Sequence, residues 1–267
     1  MKLGMVTYNM GKDMDCPQLI DLCKKTGLKG VELRTGHKHG VEVALTKEER
    51  TKVKQLFAES GIEIAGLGSA FEYHSTDPAV VKKNVEDSIA YAQLAADVGT
   101  TGIKVRPNGL QTDKGVPAEK TCEQIGLALR QIGVFAEGIG IQVRLEVHGK
   151  ETQRPKNIKM ILDAANHPNV YACWNSNATD MDEKKSIDAS FALLKDKIGH
   201  CHITDIGVYQ YPWQDLFNKL KSINYAGWCL AEIKEVGENQ TQAQAERFMK
   251  YYRTLFDLYT GAYKFPQ

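Results

Sequence analysis

The chain contains no apolar run approaching the ~20 residues that a membrane-spanning helix needs, so no membrane partner is expected. Its six cysteines are dispersed with no Cys-x-x-Cys pair, in a chain of 267 residues that is too large to need disulfide staples, and they read as buried free thiols. No run of lysines or arginines gathers on any segment and the formal net charge is +1, whereas a protein that tracks phosphates leaves a basic footprint; no nucleic-acid partner is expected. There is no Gly/Ser-rich or Pro-rich linker and no block of like charge, so the chain reads as a single domain over 1–267. The loop NMGKDMDC (9–16) has one glycine, where the first turn of an open doubly wound sheet would ordinarily carry a glycine-rich phosphate loop. The N-terminal MKLGMVTYNMGK alternates like a strand and lacks a long apolar h-region, so it is expected to be the first strand and not a signal peptide, and a cytoplasmic location is expected.

What is present is an alternation of two textures. Apolar β-type runs at 2–9, 30–36, 62–71, 101–108, 141–149, 169–177, 198–205 and 227–234 predict strands. Between and after them, segments at 16–27, 45–61, 79–99, 118–140, 157–168, 182–198, 211–225 and 240–261 predict helices. Gly27 and Gly61 are placed to stop the first two, Thr46 and Glu49 have capping-box spacing, and Pro168 prevents the fifth from continuing. Glycines in 62–71 suggest backbone that lies close to something else. Eight strand–helix units in a chain of this length fit an α/β fold of the parallel (β/α)8 barrel type, which typically takes ~250 residues.

The stretch IQVRLEVHG (141–149) places Glu146 and His148 on one face of a strand. Polar residues recur in the later strands at Asn175, His202 and Glu232, spaced 29, 27 and 30 residues apart, about one strand, one helix and two loops each time. Barrels of this type build their active sites where strands end. The last inward positions there are Glu32 and Arg34, Lys104 and Arg106, Glu146 and His148, Asn175, His200 and His202, and Glu232. Glu146, His202 and Glu232 offer two carboxylates and an imidazole, the donor set of a divalent cation. Taken singly, each has an ordinary alternative: an inward glutamate can pair with Lys104 or Arg106, and a barrel histidine is often a hydrogen-bonded core residue. Tyr209, Tyr211 and Trp213 suit either a wall stacked on a sugar ring or a packed loop. His37 and His39 read as solvated rim residues, Phe71, Tyr73 and His74 as another rim wall, and Cys201 and Cys229 as thiols packed outward under helices.

The runs LEVHG, CWNSN, HCHITD and YAGWCLAEIK resemble the corresponding strands of the xylose-isomerase-like TIM barrel superfamily, the sugar phosphate isomerase/epimerase group, over essentially the whole chain. The resemblance implies that Glu146, Asn175, His202 and Glu232 hold a divalent metal (Mn, Mg, Co or Zn) and that Glu146 and Glu232 are catalytic, handling the proton. Asn175 departs from the acid usual on strand six, which implies a weakly held metal, and Ala178 stands where that group often has a histidine. The arginine with which the epimerases hold substrate has no counterpart in IGVYQY (206–211).

The expected function is that of a metal-dependent isomerase or epimerase of a sugar or sugar derivative. It would remove a proton next to a carbonyl whose developing charge a metal neutralises. Two carboxylates divide the proton work when their pKa values differ. His148, Lys104, Arg106 and Trp213 are the candidate substrate-binding residues; for Lys104 and Arg106 a salt bridge inside the barrel is an equal alternative. A 3-keto-glycoside lyase of the same superfamily and a carbohydrate-binding barrel without activity are the alternative readings. A DNA-repair endonuclease shares the fold, but its additional histidine and acid ligands are not evident. The partner expected is a small-molecule carbohydrate, with room for a homo-oligomer.

Overall fold

A computed structural model describes residues 1–208, 210–233 and 240–264. Eight strands and eight helices alternate along the chain: β1 (Lys2–Val6), α1 (Cys16–Thr26), β2 (Gly30–Arg34), α2 (Lys47–Ser60), β3 (Glu63–Gly68), α3 (Pro78–Asp97), β4 (Gly102–Val105) and α4 (Ala118–Glu137) form the first half. The second half consists of β5 (Gln142–Glu146), α5 (Pro155–Ala165), β6 (Val170–Asn175), α6 (Asp188–Leu194), β7 (Ile198–Ile203), α7 (Trp213–Ser222), β8 (Trp228–Ala231) and α8 (Gln242–Thr260). Every strand pairs in parallel with its sequence neighbours and β1 pairs with β8, which closes the barrel. Tyr209 and Lys234, the latter expected to end the eighth strand, lie outside the described residues.

Local chemistry fixes most of the helix ends. Asp15 and Thr46 cap α1 and α2, each in a reciprocal capping box, and Gly27 and Gly61 end the same helices in the left-handed region. Helix α5 stops earlier than the proline signal implied, because Asn166 turns left-handed (φ 41°) two residues before Pro168. The helix expected over 182–198 shrinks to α6. The Asp182 carboxylate accepts hydrogen bonds from the backbone N–H groups of Lys184 and Ser186, and Lys185 has φ 60°. Such local side-chain bonds offer the backbone an alternative to helix.

The main apolar core lies between sheet and helices, where Leu3, Val31, Ile103, Leu145 and Ile203 of the strands meet Leu19, Leu94, Ile132, Ile161 and Phe217 of the helices. All six cysteines are free and buried. A smaller cluster of Val6, Ala65, Trp228 and Leu230 fills part of the barrel interior. The glycines of β3 and β4 make room there for charge: a Cβ on Gly68 would sit 2.7 Å from Glu32 Oε1, and one on Gly102 2.5 Å from the guanidinium carbon of Arg144. The close approach expected of the β3 glycines is thus to charged side chains, the Glu32 carboxylate at Gly68 and the Arg144 guanidinium at Gly66.

Two surface expectations are corrected. His39 is buried, not solvated: Nε2 lies 2.8 Å from the carbonyl of Arg34, and Nδ1 accepts from the N–H of Val41, so the ring organises its own loop. Tyr73 is not a rim wall. Its ring is fully buried and its hydroxyl is hydrogen-bonded with Ser88 Oγ of α3 at 2.6 Å. Among the described residues, no helix is long and apolar enough to cross a membrane.

Candidate functional site

Alternation along each strand sends every second side chain into the barrel, and near the strand C-termini those side chains are polar. Glu146 is the last residue of β5, Asn175 the last of β6, His202 is next to last on β7, and Glu232 follows β8 directly. The Glu232 N–H donates to the carbonyl of Ile203 at 2.8 Å, which ties the end of β8 to β7.

These residues converge. Glu146 Oε2 accepts from Lys104 Nζ at 2.8 Å, while Oε1 is 3.3 Å from Asn175 Nδ2 and 3.4 Å from His202 Nδ1. His202 Nδ1 is also 3.7 Å from Glu232 Oε1. Glu146, His202 and Glu232 each offer one ligand atom, and these atoms all lie within 4.8 Å of one another. The opposite nitrogen of the ring, Nε2, is 3.2 Å from both carboxylate oxygens of Glu32. His200 lies beneath, with Nε2 3.5 Å from Glu32 Oε2. Glu146 and His202 are sealed from solvent, whereas the Glu232 side chain keeps 12% of its surface exposed and forms the accessible end of the cluster.

The electrostatics separate the two glutamates. Burial alone would raise the carboxyl of Glu146, but the Lys104 ammonium and His202 overcome it and hold the pKa well below the usual range. Burial also raises Glu232; His202 and Lys104 oppose this, the charges on Glu146 and Glu32 add to it, and the net shift is upward. Burial would lower His202, yet Cys173, Glu32 and Glu232 favour the protonated ring and its pKa is well above the ordinary value. Glu32 is pushed up by burial and pulled down further by His202 and Lys104. One ring therefore ties three carboxylates together.

The residue set fits a divalent cation. His202 Nδ1 is buried without a hydrogen-bond partner, and it faces two carboxylates. Two carboxylate oxygens and an imidazole nitrogen suit first-row divalent metals. Asn175 presents its amide nitrogen to Glu146; turning the amide would present Oδ1 in its place, since the two ends differ only in hydrogen bonding.

The other residues expected from sequence divide by location. Lys104 belongs to the cluster. Arg106 and His148 belong to a separate polar chain on the rim: Arg106 Nη2 and Asn108 Nδ2 both donate to Glu72 Oε1, at 2.8 and 2.6 Å, and Asn108 Oδ1 is 2.9 Å from His148 Nδ1. Trp213 is buried at the start of α7, donates to the carbonyl of Val208 and packs on Tyr211 with ring centroids 4.8 Å apart. It lines a cavity of about 410 Å³ with Ser176, Ala178 and Thr204. Two residues without an expected role occupy the interior: Glu32, and Arg144, which donates to the carbonyl of Ala65. The signal for Arg144 was present, because it shares a strand face with Glu146.

Known proteins agree with this architecture. A curated relative, the L-ribulose 3-epimerase of Methylomonas sp. strain DH-1, is 25% identical over 201 residues, covering 70% of this chain and 67% of that one. The crystal structure of a D-psicose 3-epimerase from Clostridium cellulolyticum with D-tagatose superimposes with a TM-score of 0.81 at 15% identity, covering 97% of this chain and 99% of that one. That of the IOLI protein with a zinc atom gives 0.77 at 16% identity, covering 99% of each chain. The family profile described as the xylose isomerase-like TIM barrel matches residues 20–253, and with a closed eight-stranded barrel carrying Glu146, His202 and Glu232 at its strand ends, this chain belongs to that family.

Proposed function

We propose that the protein is a metal-dependent isomerase or epimerase of a carbohydrate, working by proton abstraction from the carbon beside a carbonyl. The observation that carries this reading is the convergence of two carboxylates, Glu146 and Glu232, on one imidazole nitrogen, His202 Nδ1, at 3.4 and 3.7 Å. The relatives named above as 3-epimerases support the same class.

Glu146, His202 and Glu232 would hold the cation, with Asn175 completing the set through Oδ1. When bound, the metal supplies the positive charge that stabilises an enediolate. Glu146, paired with Lys104, and Glu232, the more accessible of the two, would divide the proton work, one removing the proton and the other returning it. Lys104 stays with Glu146, so the substrate-holding role falls to groups nearer the mouth: His148 on the rim and the wall around Trp213. The expected substrate is a small carbohydrate. A lyase acting on a 3-keto-glycoside is the second reading, in which the cavity lined by Ser176, the neighbour of Asn175, and Trp213 would take the glycosidic group.

The test is turnover of a panel of ketoses and keto-glycosides by manganese-supplemented protein in deuterated water. Deuterium on the carbon next to the carbonyl is expected, and an active enzyme that incorporates none would overturn the proton-transfer reading. Release of a free glycosidic group would select the lyase.

A further inference from the structure

We infer that Glu32 is a positioning residue: it holds the Nε2–H edge of His202 and so fixes the ring with Nδ1 aimed at Glu146 and Glu232, where a metal would take the place of the Nδ1 proton. This rests on the proposed metal site and concerns the side of the ring that faces away from it.

A neutral imidazole carries one proton and one lone pair, so a histidine that ligates through Nδ1 must keep its proton on Nε2. Which tautomer forms is decided by what the two nitrogens face. Here both faces of the ring meet carboxylates, 3.4 and 3.7 Å away on the Nδ1 side and 3.2 Å away, to both oxygens of Glu32, on the Nε2 side. Without Glu32 nothing would hold the Nε2 proton, and the one proton left on a neutral ring would stay on Nδ1 between Glu146 and Glu232, the position a metal needs. With Glu32 the shorter contacts lie on Nε2. A carboxylate behind a ligating histidine raises its basicity and fixes its orientation, and loss of such a partner typically weakens metal binding 10–100-fold.

Two further features fit this role. Glu32 is 1% exposed, and a carboxylate so deep in a barrel persists only when its charge is compensated. Space for it is built in at Gly68 of β3, where a Cβ would come within 2.7 Å of Oε1. Glu32, His200 and His202 also have the spacing of a metal group of their own. Against a cation there stands the buried guanidinium of Arg144, whose positive charge acts on both Glu32 and His200. We therefore assign Glu32 to His202 and not to a second metal.

The experiment titrates Mn2+ into the chelator-treated full-length chain by calorimetry, for the wild type, Glu32→Gln and Gly68→Ala, with melting curves to verify folding. 15N NMR of the histidine rings, with and without metal, reports which ring nitrogens carry protons. One ion per wild-type chain is expected, with Nε2 of His202 protonated. Binding should weaken 10–100-fold in Glu32→Gln, alongside a shift of the ring toward the Nδ1–H form. Gly68→Ala, whose new methyl displaces the carboxylate without changing its charge, should weaken binding in the same direction, and it serves if Glu32→Gln does not fold. Unchanged affinity and tautomer in a folded variant would overturn the inference and leave the metal site standing. Two ions per wild-type chain, one of them lost in Glu32→Gln, would make Glu32 a ligand instead. A wild type that binds no Mn2+ would overturn both readings.

Discussion

Lys104 Nζ and Glu146 Oε2 lie 2.8 Å apart, and both side chains are almost sealed from water, at 5% and 2% exposure. An ion pair this deep is costly to break from one side. Lys104→Met leaves a buried carboxylate uncompensated and should destabilise the fold by about 3–5 kcal/mol. A divalent cation would replace the missing charge, so Mn2+ should recover more stability in the variant than in the wild type. Denaturant unfolding with and without metal checks this. A variant of normal stability that gains nothing from metal would show that Glu146 is not held ionised by Lys104.

Glu232→Gln keeps the size of the side chain but removes a negative ligand and a proton-transfer group together. Its activity on any substrate found should fall by roughly two or more orders of magnitude with an unchanged melting curve. Near-normal turnover would remove Glu232 from the mechanism.

Asn175 borders the Glu146 carboxylate and brings no charge. The proposed ligand set therefore carries two negative charges, from Glu146 and Glu232, and its metal should be lost readily to chelator. Asn175→Asp adds a third charge in a shielded place and should tighten metal binding by ~1 kcal/mol or more, where 1.4 kcal/mol is tenfold. If calorimetry finds affinity unchanged or reduced, Asn175 is not a ligand.

Asp180 gives a pH dependence of stability. Burial pushes its carboxyl up to about 7, even though the Tyr211 hydroxyl and the Asn177 N–H donate to it. Its ordinary value is 3.8, so between about pH 4 and 7 the folded protein retains a proton that the unfolded chain releases. Its contribution to stability is fully present below that window and is lost as pH rises through it, by at most about 4 kcal/mol at 1.36 kcal/mol per unit. Asp180→Asn preserves an oxygen for both donors and should gain on the wild type between pH 5 and 8. Unfolding curves at the two pH values test it; a difference independent of pH would mean that the carboxyl is ionised throughout.

Much of this was legible in the chain. Alternating apolar runs located all eight strands, and alternation within strands marked Glu146, Asn175 and His202 as neighbours inside a barrel, because closure brings strand ends together whatever their separation in sequence. The contact between Glu32 and His202 was not legible. It spans 170 residues across the barrel interior and depends on how far strands are staggered, which periodicity does not encode. The short α6 escaped because the Asp182 turn competes with a helical pattern on equal local terms. His39 was misplaced because nothing in its sequence neighbourhood reveals that its ring closes its own loop.

The glycines of β3 and β4 carry no functional group, yet Gly68 and Gly102 mark the volumes taken up by the Glu32 carboxylate and the Arg144 guanidinium. In a saturation scan selected on activity, both positions should therefore look as intolerant as the glutamates, although neither can touch a substrate. A map of sensitive positions in this chain would outline the glycines that make room as sharply as the charged side chains that fill it, and the two sets would have to change together for the site to be rebuilt.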